Sequence, residues 1–480
     1  MSYKEAQRRV ENGYQAALLV GTVTPASLLV GSLNFVLLIS WLMISPSISD
    51  SVYKRSRWLV FGCIVYASTW SLLYNRSMGV IGGIGVGLNS VMCIIIAANL
   101  MLLHDTRTFT RAVLQLSSKG NAAQESDGKI RRTSADREHG ELQVTWEPVP
   151  KFGIRRLFWI LDLIGGLRGV HWAWKPTPLP KFLSSSQKSL GGLSLTALFS
   201  NNIFRFSIDY LAFDIIKCSM IADPYFLGYS MSSSPPHLAA YISSPLALYL
   251  YRMLLAVAGG FIAIDMIYTF GMALQVNLLG PRILGLNAHQ STFPPLWGSY
   301  RSILNNGLRG FWSKTWHQML RMHLASVGHT CADFLLRDKQ SVVATHLRTQ
   351  TSNLRRRIVV CTVFFLSGIL HAAAAYTLLG PTRPWEFLLF FMLQPLGIAI
   401  QDAFARYAAQ LYPPALSRRG RQAMQRAANL SFTLLWLAMC SPLMLDGFTS
   451  GGLWMLEPVP VSFVRGLGLG VEGERRFWNW

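Results

Sequence analysis

The chain has 480 residues, of which 51% are hydrophobic and only 14% are charged, and its mean hydropathy is +0.31. A soluble protein would need many polar amphipathic helices to cover so much apolar sequence, and few such segments are present. The formal net charge is +21, from 44 Lys and Arg against 23 Asp and Glu. In a soluble protein this excess would suggest nucleic acid binding. Here the basic residues lie mainly between long apolar stretches, so no nucleic acid partner is expected.

Long apolar segments occur along the whole chain and predict an all-α polytopic membrane protein. Residues 78–103, 358–379 and 427–445 carry almost no charge, and each is long enough to cross roughly 30 Å of hydrocarbon at about 1.5 Å per residue. Weaker segments, which are shorter or interrupted by polar residues, are 24–44, 58–74, 203–221, 246–270 and 387–400. Together they predict about seven to nine transmembrane helices.

The charge of the connecting segments predicts the orientation of the chain in the membrane. Residues 104–155 are rich in Lys and Arg, so the positive-inside rule places them in the cytoplasm, and their polar composition predicts a mobile loop. The basic cluster that begins at Lys54 places the first loop between spans on the same side. The N-terminus and the turn at Asn75 then lie on the lumenal side. The sequon 75–77 therefore makes Asn75 a candidate glycosylation site.

The chain divides into N-terminal transmembrane helices (1–103), the basic cytoplasmic loop (104–155) and a C-terminal core (156–480). Within the core, residues 156–174 are aromatic and basic but rich in glycine, which is typical of an interfacial helix. Residues 274–357 mix prolines, tryptophans and cations with moderately apolar sequence, so they do not form a simple span. Irregular backbone at membrane depth is tolerated only when it is buried in protein or lines a polar cavity. We therefore expect interfacial or re-entrant helices around a buried site in this region.

Two elements of the core contain residues that could carry chemistry. His371 lies inside the apolar segment 358–379, where an ionisable group costs roughly a few kcal/mol and by default indicates a functional site. The alternative is a neutral imidazole that is hydrogen-bonded to a neighbouring helix. Residues 308–321 form a basic and aromatic helix that includes His317. On its own this second pattern would indicate an interfacial anchor.

Several other functions are excluded by missing motifs. The chain has no His-Glu-x-x-His, Gly-x-Ser-x-Gly or P-loop sequence, so zinc hydrolase, serine hydrolase and nucleotide-binding interpretations fail. The six cysteines are scattered without metal-ligand or redox spacing, and no metal site is expected. His329 and Asp333 have the spacing of a motif in soluble plant-type acyltransferases. The second signature of those enzymes is missing, so we attribute this match to coincidence.

Short motifs follow one another through the core in a specific order. They are Arg168-Gly169, Trp172-Ala173-Trp174, Asp214, Asp223-Pro224-Tyr225-Phe226, Pro294-Pro295-Leu296-Trp297-Gly298-Ser299, Arg309-Gly310-Phe311-Trp312, Trp316-His317, Ser367-Gly368-Ile369-Leu370-His371 and Glu457-Pro458-Val459-Pro460-Val461-Ser462. In order and spacing they resemble the membrane-bound O-acyltransferase superfamily, specifically the wax-synthase-like branch found in fungal acetyltransferases of terpenoid and meroterpenoid pathways. The resemblance covers most of the chain from about Arg156 onward. Ser313, Lys314 and Thr315 replace the glycine and arginine pair common in that family's helix, and Lys314 keeps one charge.

The resemblance implies acyl transfer to a hydroxyl in a buried reaction chamber between membrane helices. His371 would be the general base, because a water-poor chamber would keep it neutral and able to accept the proton of an alcohol that attacks a thioester. His317 would orient the acyl donor or donate a hydrogen bond to its carbonyl oxygen. The candidate contacts to acyl-CoA are Arg309, Trp312, Lys314, Trp316 and Arg321. For each cation among them, the alternative is an ordinary positive-inside marker.

We therefore expect a multi-pass protein of the endoplasmic reticulum that transfers acetyl from acetyl-CoA to a hydroxyl of a lipophilic terpenoid or meroterpenoid intermediate in secondary metabolism. Acetyl-CoA would be a co-substrate, and no bound cofactor is expected. A close alternative is a wax ester synthase that uses long-chain acyl-CoA and a fatty alcohol. A membrane transporter is an alternative from another class, because Arg252 and Asp265 lie in one predicted span, although the chain lacks repeated halves.

Overall fold

Long helices that run alongside one another make up most of the architecture, which confirms an all-α polytopic membrane fold. The computed structural model describes residues 3–78, 83–117, 141–169, 172–173, 195–229, 235, 241–242, 244–275, 295–337, 345–411, 417–455 and 461–470. The helices of the first third are α1 (Tyr3–Val20), α2 (Leu28–Ile44), α3 (Asp50–Tyr74), α4 (Gly85–Ala97, continued by a π-helix at Ala98–Leu103) and α5 (Ile154–Gly165). The later helices are α6 (Leu195–Ile221), α7 (Pro245–Ala273), α8 (Arg301–Gly310), α9 (Arg321–Leu335), α10 (Thr345–Tyr376), α11 (Pro384–Leu411), α12 (Arg418–Cys440), α13 (Pro442–Ser450) and α14 (Phe463–Gly466).

Short elements connect these helices. The two-residue strands β1 (Thr24–Pro25) and β2 (Asn75–Arg76) pair in parallel, and β3 (Thr110–Ser117) pairs antiparallel with β4 (Glu141–Pro148). A second π-helix, Phe311–Thr315, follows α8 directly. Single turns of 3-10 helix occur at Ser45–Ser47, Thr106–Thr108, Pro224–Leu227 and Leu453–Met455.

Within the described residues, five helices are long and apolar enough to cross a membrane. They are Gly85–Leu103, Pro245–Ala273, Thr351–Tyr376, Pro384–Ala408 and Arg418–Ser450, and a shorter apolar helix is Gly31–Ser47. Every segment that the sequence predicted as a span overlaps a helix, and five of the eight segments overlap a helix that meets this criterion. The helices α3 and α6 fall short because charged residues such as Arg57 and Asp209 lie within them.

The N-terminal helices pack directly against the C-terminal core. In the antiparallel pair α4 and α10, the amide of Gly87 donates to Thr377 Oγ1 over 3.2 Å. A Cβ atom on Gly87 would lie 2.1 Å from the carbonyl oxygen of Ala373, so this close approach requires glycine. At the other end of α4, Asn99 Nδ2 donates to the carbonyl oxygen of His323 at 3.2 Å. The two parts of the chain therefore share one core.

Polar contacts place the loops that follow α2 and α4 at the same end of the bundle. Arg107 Nη1 lies 2.6 Å from Asp50 Oδ1, and the same guanidinium pairs with Asp105 at 2.7 Å. His104 Nε2 lies 2.8 Å from Ser326 Oγ in α9. Because α10 is antiparallel to α4, its arginine-rich beginning lies at this end as well. The positive-inside rule predicts that this end faces the cytoplasm.

The arms of the basic loop form an ordered hairpin, which corrects the expectation of a wholly mobile segment. The strands β3 and β4 pair along their full lengths. Arg111 of β3 forms ion pairs with Glu147 of β4 at 2.7 Å and with Asp162 of α5 at 3.1 Å. Pairing satisfies the backbone of each arm, and the ion pairs attach the hairpin to α5. The middle of the expected mobile loop, residues 118–140, lies outside the described residues.

Asn75 is fully buried at the turn after α3. Its Nδ2 atom, which would carry a glycan, donates to Ser71 Oγ at 3.0 Å, while Oδ1 accepts from Thr24 Oγ1 at 2.8 Å. A glycan on this atom would require these contacts to open. The folded structure therefore disfavours the glycosylation that the sequon suggested.

The charges of α7 are paired with other elements rather than with each other. Arg252 pairs with Asp223 at 2.7 Å, and both side chains are buried. Asp265 pairs with Arg205 of α6 at 2.6 Å. For the fully buried pair of Arg252 and Asp223, removal of one partner typically costs about 3–5 kcal/mol, because the other charge stays buried and uncompensated. The two charges in this span, which favoured a transporter, are thus explained as ion pairs between elements of the fold.

The sidedness of the bundle can be tested with single cysteines. We expect a membrane-impermeant maleimide to label Lys54→Cys in sealed microsomes, because Lys54 is exposed near the cytoplasmic start of α3. Arg383→Cys, exposed in the turn between α10 and α11 at the opposite end, is the matched control and should react only after detergent is added. Labelling of the unsubstituted chain is subtracted. Reaction of Arg383→Cys before detergent, or protection of Lys54→Cys, would contradict this topology.

Candidate active site

A cavity of about 990 Å³ lies among the helices of the C-terminal core. Its wall includes residues of α8, the following π-helix, α9, α10 and α11. Part of the irregular stretch that the sequence predicted at 274–357 therefore forms one side of it, while residues 276–294 and 338–344 lie outside the described residues. His317 and His371, which are far apart in sequence, both line this cavity.

The structure also brings most of the other candidate residues to the cavity. Arg309, Trp312, Trp316 and Arg321 line it. Lys314 does not: its side chain is exposed, and its backbone packs so closely on Gly298 that a Cβ atom there would lie 1.7 Å from the Lys314 carbonyl oxygen. Lys314, which the sequence suggested as a contact for the acyl donor, is therefore not among the residues that line the cavity.

The backbone leaves the helical pattern ten residues before His317, at Gly307. Gly307 has a φ of 56°, in the left-handed region that favours glycine. The side chain of Gln401 fills the adjacent space, and its Oε1 accepts from the amide of Leu308 at 2.8 Å. Gln401 Nε2 donates in turn to Asn429 Oδ1 at 3.2 Å. A buried side-chain amide therefore satisfies the backbone at the break, as membrane depth requires.

After this break the chain forms a π-helix and then becomes extended. Trp316 has a φ of −62° and a ψ of 147°. Gln318 Nε2 donates to the carbonyl oxygens of Trp312 and Trp316, at 3.3 Å and 2.6 Å. Short π segments are frequent at functional sites because they displace side chains from the regular helical pattern. The bridge from Gln318 fixes the backbone on both sides of His317.

His371 lies in α10 against Phe391 of α11, with ring centroids 4.4 Å apart. Its Nδ1 lies 2.8 Å from the carbonyl oxygen of Ser367, one turn earlier in the same helix. Because a carbonyl oxygen can only accept, Nδ1 carries the proton of the neutral ring and Nε2 keeps a lone pair. This hydrogen bond stays within one helix, so it is not the helix-to-helix link of the alternative interpretation.

Burial lowers the pKa of His317 to about 4, and the charges of His371 and Arg168 contribute to this shift. His317 is therefore neutral at pH 7 and has one N–H donor. Its Nδ1 is buried and has no hydrogen-bond partner among the described residues. The rings of Trp316 and Trp297 pack around it at centroid distances of 5.1 Å and 6.1 Å. A substrate group could supply the missing partner and remove the cost of burying this polar atom.

Trp312 forms an aromatic wall between the two histidine-bearing segments. Its Nε1 donates to Oε1 of the fully buried Gln394 at 3.1 Å. The indole ring packs against Phe364 at a centroid distance of 5.6 Å and against Phe391 at 6.0 Å. Phe391 also contacts His371, so the wall reaches from the π-helix to the candidate base.

Cationic side chains line the end of the cavity that lies beside the arginine-rich beginning of α10. Arg309 pairs with Asp402, which neutralises part of its charge. Arg356, Arg357 and Arg406 are exposed and also line the cavity, although the sequence did not single them out. The available signal was a run of three arginines directly before a span. The positive-inside rule already explains such a run, so it did not indicate a site.

The spacing of His329 and Asp333 has a structural role. Arg355 Nη1 lies 3.1 Å from His329 Nδ1, and its guanidinium pairs with Asp333 at 2.8 Å. Arg355 thus ties α9 to α10. The bridge supports the view that the match with soluble acyltransferases is coincidental.

Comparison with known proteins identifies relatives. Residues 293–393 match the model of the membrane bound O-acyl transferase family. The chain is 28% identical to the O-mevalon transferase macI of Penicillium terrestre over 67% of this chain and 65% of that relative. It is 28% identical to the O-mevalon transferase yanI of Aspergillus niger over 52% and 53%, and 31% identical to the acetyltransferase aurG of Calcarisporium arbuscula over 33% and 35%. No solved structure matches this chain.

The matches cover only part of each of these relatives. The chain spans just under two thirds of the length of macI and about half that of yanI, at 65% and 53%. The family match includes the broken helix and both cavity histidines, His317 and His371, but not the cavity-lining residues from Pro395 to Arg406. The resemblance of this chain to the membrane-bound O-acyltransferase family is therefore confirmed over the segment that holds both cavity histidines.

Proposed function

We propose that this chain is a multi-pass enzyme of the endoplasmic reticulum that transfers acetyl from acetyl-CoA to a hydroxyl of a lipophilic terpenoid or meroterpenoid intermediate. The observation that carries the proposal is that His317 and His371 line one cavity between membrane helices. One histidine offers a lone pair and the other an N–H donor, which are the two groups that acyl transfer to an alcohol needs.

Transfer would take place in one displacement without an acyl-enzyme. The Nε2 lone pair of His371 accepts the hydroxyl proton as the alcohol oxygen attacks the thioester carbonyl carbon. The N–H of His317 donates to the carbonyl oxygen while that oxygen gains negative charge. The C–S bond then breaks, and the leaving thiolate takes the proton from the imidazolium of His371. The products are an ester and a free thiol, and both histidines return to their neutral forms.

The charge distribution supports an anionic donor that arrives from the cytoplasm. Arg356, Arg357 and Arg406 line the cavity and are exposed at its cytoplasmic end. Coenzyme A carries several phosphates, and guanidinium groups bind phosphate oxygens through paired hydrogen bonds. Acetyl-CoA would thus bind as a co-substrate, with its head at the arginines and its thioester near the histidines.

The relatives support a second candidate for the acyl group. The two O-mevalon transferases match a larger share of this chain than the acetyltransferase aurG does. The cavity, at about 990 Å³, also has room for an acyl group larger than acetyl. A mevalonate-derived group is therefore the second candidate, and a long-chain acyl group remains the third.

The proposed activity can be tested in microsomes that contain the protein. We expect labelled acetyl-CoA and a panel of hydroxylated terpenoids to give ester products, detected by mass spectrometry, because the site offers both a base and a carbonyl hydrogen-bond donor. Mevalonyl-CoA and palmitoyl-CoA are supplied in parallel, and microsomes with His371→Gln serve as the control. Products formed from only one of these other donors would replace acetyl as the transferred group. No ester from any donor would contradict the proposed function.

His371→Gln should lower turnover by about a hundredfold to ten-thousandfold, because glutamine can hydrogen-bond but cannot accept a proton at neutral pH. His329→Gln is the matched control, since His329 lines the same cavity but is held by Arg355. Both variants should insert at the wild-type level, as measured by immunoblot of the membrane fraction. Substantial turnover by His371→Gln would show that this residue only packs.

His317→Ala should lower kcat by about a hundredfold to a thousandfold, which is the usual effect of removing a donor to a developing oxyanion. His317→Asn keeps an N–H donor and should retain more activity than the alanine variant. Initial rates are divided by the amount of folded protein, measured by size-exclusion chromatography in detergent. Wild-type activity in a well-folded His317→Ala variant would remove this residue from the site.

A further inference from the structure

Asp265 is a buried carboxylate in α7 that the proposed reaction does not use, and it is only 7% exposed. Arg205 of α6 pairs with it at 2.6 Å. Trp297 Nε1, from the segment that precedes α8, donates to its Oδ1 at 3.0 Å. A carboxylate at this depth is costly unless such donors satisfy it. Arg205 also interacts with Asp209, which lies against Asp265, so one arginine serves two carboxylates and the indole N–H is a further donor that Asp265 needs.

Trp297 connects Asp265 to the candidate active site. Its ring packs on Phe261 at a centroid distance of 4.3 Å and on Trp316 at 5.4 Å. The ring of His317 lies 6.1 Å away, in an edge-to-face arrangement. The hydrogen bond to Asp265 fixes the N–H edge of the indole and therefore its orientation against these neighbours. The indole is thus part of the surface that holds His317.

The backbone beside Trp297 is also attached to the segment that leads to His317. The amide of Gly298 donates to the carbonyl oxygen of Thr315 at 3.0 Å. Thr315 Oγ1 donates back to the carbonyl oxygen of Ser299 at 3.1 Å. Because both bonds join the two segments directly, a displacement of Trp297 would be passed to the residues that precede His317.

We propose that Asp265 is a positioning residue: it anchors Trp297, and Trp297 holds His317 where it can meet the acyl carbonyl oxygen. This inference rests on the proposed function and adds a residue to it. A misplacement of about 1 Å in a catalytic group can lower the rate by about a hundredfold. The anchor therefore acts on turnover more than on the binding of the acyl donor.

A second ion pair of α7 offers a comparison: Arg252 of this helix pairs with Asp223, which precedes the 3-10 turn Pro224–Leu227. It is buried, at 2.7 Å, and Arg252 also lies over the ring of Tyr225 at 4.9 Å from its centroid. Tyr225 in turn donates to Asp446 at 2.6 Å. None of these four residues lines the cavity. Asp223→Asn therefore disrupts another ion pair of α7, one that is even more deeply buried, without touching residues 295–299.

Trp297→Phe is the main test, because it keeps an aromatic ring and leaves the carboxylate of Asp265 paired with Arg205. We expect kcat to fall by about tenfold, because the hydrogen bond that orients the ring is lost. The KM for acetyl-CoA should stay within about twofold, because the substitution removes no contact with the acyl donor. Asp265→Asn keeps an oxygen acceptor and should retain more of kcat than Asp265→Ala. Asp223→Asn, the control, should keep the wild-type kcat per folded molecule.

A double-mutant cycle tests whether the effect passes through His317. In a His317→Ala background, Trp297→Phe should cause no further loss of kcat. Full additivity of the two changes, or a wild-type kcat in Trp297→Phe alone, would overturn the positioning role. An absence of acyl transfer by the wild-type protein would instead contradict the proposed function.

Chemical labelling gives a readout that does not depend on activity. Diethyl pyrocarbonate modifies neutral imidazoles, and peptide mass spectrometry measures each histidine separately. We expect Trp297→Phe and Asp265→Ala to raise the labelling rate of His317 severalfold relative to His329 in the same cavity. Asp223→Asn should leave this ratio unchanged. An unchanged ratio in Trp297→Phe would overturn the positioning role, whatever reaction the protein catalyses.

Discussion

Backbone polar groups at membrane depth have no water to bind, and this constraint governs the segment that carries His317. A continuous helix would satisfy these groups, but it would also fill the space that the cavity occupies. The chain breaks at Gly307 instead, and side chains of Gln401, Thr315 and Gln318 bind the backbone in the irregular stretch. The contacts that make the irregular backbone tolerable therefore also fix the wall of the cavity and the place of His317 within it.

Two kinds of side chain remain available to a substrate, namely exposed arginines and buried histidines. Deep in the bundle, Arg252 and Asp265 each have a counter-charge on another element, and they hold helices together. At the end of the cavity beside the beginning of α10, arginines such as Arg356 are exposed and can attract an anion. Between these regions, His317 is uncharged at pH 7 because burial disfavours its charged form. One cavity can thus combine a polar entrance with a site suited to proton transfer.

Most of the helical architecture could be predicted because apolar length depends only on consecutive residues. Each predicted span overlaps a helix, and contacts such as that of Arg107 with Asp50 agree with the side that charge assigned to the first loops. In the described part of the chain, helices with internal charges such as α6 do not meet the hydropathy and charge criterion for a span, because their apolar stretches are interrupted. The hairpin of β3 and β4 was missed, since strands that pair across a long connection give only a weak local signal.

At the site, the sequence by itself determined that His371 is the leading candidate, because an ionisable residue in an apolar span stands out without knowledge of its partners. It did not determine burial away from the spans, because burial depends on which other segments pack there. Lys314 is exposed although its neighbours line the cavity, and Asn75 is enclosed although its motif suggested an open turn. Only the tertiary structure decided that Asp265 meets Trp297, because the two residues lie on segments whose approach is set by helix packing rather than by spacing along the chain.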